Sequence, residues 1–264
     1  MVCRVVMPLS RGDRVEIMGK MIRDLDMGNY EKEYLIVCDN NEIDRRKIEK
    51  SLEGLRGEII FTGNGLTMGL DADARRMRIT QCWNIIRDYL DGRYELVLGI
   101  EDDGNFHSGD FLKIESSFKD RYVNNYCRCG FVSGVEAGRW GNKMIGAWRL
   151  DESKEIIRTV PYKKEGLEGV HAAGFYFFVS MAELISSQNF HYNFFGPDVC
   201  FGLDISDRGY LNFIDYSVRV GHDNGVRVLE VDEECVELIY GKEHDYLWRG
   251  IGVERNGVSV LPHL

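Results

Sequence analysis

The chain has 264 residues, 44% of them hydrophobic and 29% charged, with 43 acids against 33 bases for a net charge of −10. That is the composition of a globular domain long enough to bury a substantial core. It argues against broad attraction to nucleic-acid phosphates, so a nucleic-acid acceptor is disfavoured, and no apolar run approaches the roughly 20 residues that a bilayer span demands.

The opening MVCRVVMPLSRGDR lacks the long apolar core and small-residue cleavage site of a signal peptide, which predicts a first strand and a cytoplasmic location without integral membrane contact. Cys3 to Met7 form that strand, stopped by Pro8, and Ile17, Met21, Ile22 and Leu25 then follow a helical pattern. A second strand, Tyr34 to Cys38, ends in Asp39-Asn40-Asn41, and Ile43, Ile48, Leu52 and Leu55 fit a second helix. The third strand, Glu58 to Phe61, ends at the glycine-rich TGNGLTMG, followed by a helix from Ala72 to Leu90 through Met77, Ile79, Trp83 and Ile86. A fourth apolar run, YELVLGI, surfaces into Glu101, Asp102 and Asp103. Strands alternating with helices predict a mostly parallel sheet with helices on both faces, whose ligands gather at the carboxyl ends of the strands.

Further on, CGFVSGV, KMIGAW and GFYFFVS read as mixed strands extending the same sheet. Val199 to Arg208 suits a short helix with Gly209 as its stop, and YLNFIDYSVRVGH resumes strand character. Seven scattered cysteines, with Cys127 and Cys129 as their one close pair, lack a zinc pattern and are expected to be free thiols.

On an extended strand end Glu101 and Asp103 share a side, so two carboxylates converge and call for a cation, a sugar hydroxyl or a basic side chain beside them; a solvated acidic turn accounts for the same residues. His222, at the end of another apolar run, would complete a mixed nitrogen and oxygen shell that favours Mn2+ over Mg2+. Asp198 precedes a helix, where it serves either as an N-cap or as a general base. Arg75, Arg76 and Arg78 form a basic cluster that reads equally as a solvated helix face. Trp140, Trp148, His171 and Tyr192 are candidates for a sugar-stacking surface, whereas Phe175, Phe177 and Phe178 are expected in the core.

The ordered series of these pieces resembles a family 2 glycosyltransferase of the GT-A fold. It is carried by VVMP, by Asp39 in LIVCDNN, by LGIEDDG, by the glycine-rich GVHAAGFYFFVS, by Asp198 in GPDVCFGLDISDRGY and by His222 in VRVGHDN, from about Cys3 to His222. Glu101 stands where the family has Asp, and Pro197 where it has Glu. The resemblance implies an α/β GT-A fold, a mixed, mostly parallel central sheet flanked by helices, as one domain over 1–264. Within it, 1–105 would be the nucleotide-binding half, 106–222 the acceptor half and 223–264 a C-terminal tail or lid.

It further implies metal-dependent transfer of a sugar from a nucleotide-diphosphate donor to an acceptor hydroxyl, with inversion. Asp103 and His222 would hold Mn2+ (or Mg2+), Asp198 would be the catalytic base, and Pro8, Asp39, Glu101 and Asp102 would bind the donor, with Arg75 or Arg76 on its diphosphate. A nucleotidyltransferase needs a glycine-rich phosphate loop near the first strand, and PLSRGDR fits that poorly. A nucleotide-sugar or glycan-binding module without turnover is the other alternative, which Pro197 favours.

Overall fold

The computed structural model describes residues 1–63, 72–137, 146–150, 156–160, 165–192, 196–222 and 237–239. In chain order these form β1 (Val2–Leu9), α1 (Val15–Asp24), β2 (Glu31–Cys38), α2 (Arg45–Ser51), β3 (Arg56–Phe61), α3 (Ala72–Asp88) and β4 (Leu96–Ile100). Then come β5 (Gly104–Asn105), α4 (Asp110–Asn124), β6 (Cys129–Ala137), β7 (Ala147–Leu150), β8 (Ile156–Thr159), β9 (Leu167–Val170) and β10 (Ala172–Ala173). The last are β11 (Phe177–Met181), α5 (Ala182–Ser186), α6 (Pro197–Asp207), β12 (Leu211–His222) and β13 (Glu237–Ile239).

The central sheet has nine strands in the order β3-β2-β1-β4-β11-β6-β12-β5, with β9 also on β12. β1, β2, β3 and β4 are parallel, β11 is antiparallel to both β4 and β6, and β6 and β12 are again parallel. The sheet is therefore mixed and mostly parallel, as expected. Side chains alternate across it. Cys3, Val5, Met7 and Leu9 of β1 pack with Met18 and Ile22 of α1, Ile48 of α2 and Phe111, Ile114 and Phe118 of α4. Val6, Leu35, Val37 and Val97 face the opposite side, with Trp83 and Ile86 of α3, Ile185 of α5 and Phe201 of α6. Phe175, Phe177 and Phe178 are buried in these layers, as predicted.

Three local expectations change. Pro8 does not stop β1: it pairs in register with Val37 beyond the last β4 contact at Val6, where a missing N–H leaves no gap in that ladder. Ile17 is exposed because α1 starts at Val15 and turns Val15, Met18, Gly19 and Ile22 inward. Ala147 and Trp148, the end of KMIGAW, do not extend the main sheet; their strand β7 belongs to a four-stranded sheet, β10-β7-β8-β13, because strand pattern specifies a pleat but not its partner. The α4 helix was not anticipated, although Phe111, Ile114 and Phe118 carry its buried stripe.

β12 bends at register shifts between Leu211 and Phe213 and between Asp215 and Arg219. Asp215 satisfies the second irregularity by accepting from the Ser217 amide at 2.9 Å and the Ser117 hydroxyl at 2.7 Å. Among the described residues no helix is long and apolar enough to cross a membrane. Trp140, most of TGNGLTMG and, apart from β13, the expected tail or lid at 223–264 lie outside the described residues.

Candidate functional site

β1, β2, β4, β6 and β12 all end on one edge of the sheet, and the acid triplet emerges there directly after β4. Glu101, Asp102 and Asp103 are half-buried. The Glu101 amide donates to the Tyr176 carbonyl at 3.3 Å, and the Gly104 amide returns to the Glu101 carbonyl at 3.2 Å, closing the turn. β5 then pairs antiparallel with β12: Asn105 lies opposite Gly221 and Gly104 opposite His222. The backbone thus sets His222 one register position from Asp103. The imidazole of His222 lies outside the described part of the structure.

Asp102 points back at the loop after β1. One of its oxygens, Oδ2, accepts from the Ser10 amide at 2.6 Å, the Ser10 hydroxyl at 3.0 Å and the Arg11 amide at 2.9 Å. Burial pushes its carboxyl above the usual range, the Ser10 amide opposes this, and the neighbouring charge of Asp103 adds to it. Arg14 approaches the same turn from α1, donating from Nη2 to the Gly104 carbonyl at 3.0 Å and to Asn105 Oδ1 at 2.8 Å. Its Nε lies 3.4 Å from the Asp102 carbonyl.

Asp39 caps the next strand end and is buried. Its Oδ2 accepts from Arg78 Nη2 at 2.7 Å, while Asp39 Oδ1 and Arg78 Nε are buried without a hydrogen-bond partner among the described residues. Burial raises the Asp39 carboxyl and the Arg78 guanidinium counters it, with a smaller contribution from Arg75. Adjacent Cys38 is pushed up to about 11, chiefly by burial, and stays a thiol. Asn40 ties this strand end to the first, donating to the Ser10 carbonyl at 2.9 Å.

Asp198 lies one residue inside α6. The N-cap is Gly196 and Pro197 occupies the first helical position, where its missing N–H is harmless. A side chain on Gly196 would meet Asp198 Oδ1 at 2.4 Å, so the carboxylate folds back over the helix start. Asp198 is therefore not the N-cap, though it sits in the positive field of the helix N-terminus. Tyr176 shows that it shares a neighbourhood with the acid turn. Burial first, then the carboxylates of Glu136, Glu101 and Asp198, hold that phenol well above its usual range.

Pro8 is half-buried within β1, Arg75 is exposed and Arg76 half-buried on α3. Arg78, from the same cluster, is the arginine that the fold joins to Asp39. Trp148 and His171 are neighbours in the small sheet: the His171 amide donates to the Trp148 carbonyl at 2.9 Å, and the Leu150 amide donates to His171 Nδ1 at 3.0 Å. Trp148 Nε1 is buried without a hydrogen-bond partner among the described residues. Gly202 brings α6 against this strand, since a side chain there would strike the Ala172 backbone at 2.7 Å. Tyr192 is exposed before α6. Ser10 and Arg14 were missed as site residues, and Arg78 was read only as a member of the basic cluster; a charged residue at a helix start is the sequence signal for Arg14 alone.

Among the described residues no group of three or more His, Cys, Asp and Glu is placed to hold a metal ion. What the backbone brings to adjacent register positions is Asp103 and His222, and a carboxylate with an imidazole is, by chemistry, a pair that a divalent cation accepts when phosphate and water complete its shell.

No family model matches the chain, and no curated protein does. Solved structures do. The mannosyltransferase PcManGT from Pyrobaculum calidifontis, in complex with GDP-Man and Mn2+, matches at TM-score 0.58 and 13% identity over 84% of this chain and 56% of that one. GalNAc-T7 with UDP, GalNAc and Mn2+ matches at TM-score 0.61 and 12% identity, over 87% of this chain and 45% of that one. S. aureus TarS 1-349 matches at TM-score 0.50 and 14% identity, over 86% and 59%. The chain spans about half the length of each of these three structures. With its sheet order, its two helical layers and these neighbours, the chain has the GT-A glycosyltransferase fold.

Proposed function

We propose that the chain is a metal-dependent glycosyltransferase, of the hexosyltransferase type, that moves a sugar from a nucleotide-diphosphate donor to an acceptor hydroxyl with inversion. The observation that carries this reading is the meeting, on one sheet edge, of Asp39, the acid turn and the end of β12, with Asp198 in the first turn of α6. The nucleotide sugars and Mn2+ bound to structures of the same fold support it.

Asp39 Oδ1 and Arg78 Nε, a bare acceptor beside a bare donor, suit the edge of a base that presents N–H next to C=O, as uracil and guanine do. Glu101 takes a ribose hydroxyl and Asp102 fixes the loop against which the donor lies. Arg75 or Arg76 reaches the diphosphate. Asp103 and His222 would hold Mn2+ (or Mg2+), which when bound offsets charge on the leaving diphosphate. Asp198 accepts the proton of the acceptor hydroxyl. The acceptor oxygen bonds to the anomeric carbon on the face opposite the diphosphate, and the bond from that carbon to the diphosphate oxygen breaks, which inverts the centre. Trp148, His171 and Tyr192 flank α6 on the acceptor side.

Incubation with a panel of UDP- and GDP-sugars and Mn2+ tests this by release of nucleoside diphosphate. Slow hydrolysis that stops on chelation is expected. Binding of a nucleotide sugar without release under any condition identifies a binding module instead.

A further inference from the structure

We propose, given the glycosyltransferase reading above, that Arg14 is a positioning residue: it fixes the backbone on which Asp103 stands and so sets the affinity for a divalent cation taken up together with a nucleoside diphosphate. Arg14 is in the wrong place for local stability. It occupies the N-cap of α1 without making a capping bond and sets a positive charge at the helix end that disfavours one. A residue that breaks a local rule this way is held for a reason elsewhere in the fold.

The acid turn is what holds it. Three of the Arg14 bonds go to the carbonyls of Asp102 and Gly104, on either side of Asp103, and to the side chain of Asn105, whose backbone lies opposite Gly221. One rigid guanidinium fork therefore spans the segment from the residue before Asp103 to β5, the strand paired with the one that carries His222. Arg14 is only 5% exposed, and a guanidinium that far out of water is tolerated where its donors are satisfied and negative charge lies nearby. The turn that carries Glu101, Asp102 and Asp103 takes three of the Arg14 bonds, on two backbone carbonyls and on Asn105. Arg14 thus brings a basic side chain to the acid turn itself. Groups one step removed from a metal ligand orient it and tune its affinity.

The Asp39 end of the site serves as the control, because the side chain that holds Asp39 is Arg78. Binding of UDP and GDP with and without Mn2+, and of uridine and guanosine without metal, is measured by NMR titration for the wild type, Arg14→Met and Arg14→Lys. Mn2+ is expected to tighten diphosphate binding by the wild type, and that gain to fall about 10- to 100-fold in Arg14→Met while nucleoside affinity is retained. Arg14→Lys, which keeps the charge and loses the planar fork, is expected between the two. An undiminished Mn2+ gain in Arg14→Met overturns the proposal, as does a loss shared equally by the nucleosides, which marks a general structural role. Should Arg14→Met fail to fold, an undiminished gain in Arg14→Lys overturns it alone. A wild type that binds no nucleotide in any condition overturns the glycosyltransferase reading itself, a separate and recognisable result.

Discussion

Asp198 and Asp103 carry different duties in the proposed reaction, and single substitutions separate them. Asp198→Asn keeps the shape over Gly196 and loses the proton acceptor, so turnover is expected to fall by about 10²- to 10⁴-fold with donor affinity retained, as read by single-turnover kinetics beside calorimetry. Asp103→Ala is expected to lose Mn2+-dependent donor binding, and His222→Ala to weaken it; wild-type Mn2+ dependence in either would remove that residue from the shell. Asp39 and the acid turn were legible in sequence because an apolar run that ends in acids marks a strand surfacing at the functional edge of a parallel sheet. Arg78 and Arg14 were not. A long cation reaches across elements to a partner that is distant in sequence, 39 residues for Arg78 and 90 for the Gly104 carbonyl, and spacing along the chain carries no trace of that reach.

At the scale of elements, α6 is positioned by what it lacks. Gly202 allows its backbone to lie against His171 and Ala172, with would-be side-chain contacts of 2.8 and 2.7 Å to backbone atoms. Gly202→Ala is expected to cost about 1–3 kcal/mol in denaturant unfolding and to shift Asp198, which rides on the same helix. The segment ahead of α6 is tied to it by His191 Nε2, 2.6 Å from Asp204 Oδ2. Asp204 raises the His191 imidazole above its usual 6.5, against a smaller opposing effect of burial. Its contribution is therefore complete below about 6.5 and fades as pH rises through the raised value; exposure to solvent limits it to about 0.2–1 kcal/mol. An NMR titration of His191 is expected to show a midpoint above 6.5 that falls to 6.5 or below in Asp204→Asn, where only the effect of burial is left. The end of α6 was readable from Gly209, at φ +86° where glycine is favoured, whereas its start lies at Pro197, two residues before the expected Val199. The β7 pairing was not, because register between strands far apart is decided by packing rather than by local pattern.

At the scale of the whole molecule, stability and the candidate site lie at opposite ends of the sheet. Arg4, 1% exposed near the start of β1, donates to Glu33 at 3.1 Å and to Glu58 at 2.8 Å, and also to the Tyr94 hydroxyl. Glu33→Ala strands a buried cation and is expected to destabilise the fold by about 3–5 kcal/mol, while nucleotide affinity of the folded protein is retained. Equal loss of both in a thermal-shift series would show that the two ends are not independent. The three-layer architecture was legible because strand and helix periods alternate cleanly through the first hundred residues. The pairing of β5 with β12 has a consequence for biosynthesis. Gly104 meets His222 across roughly 120 residues of intervening chain, so closing that contact carries a large loop entropy and waits on everything between. The acid turn leaves the ribosome long before its partner strand exists. A nascent or prematurely terminated chain lacking β12 therefore leaves the acid turn without the strand that β5 pairs with, and this end of the sheet is complete only once β12 has been made.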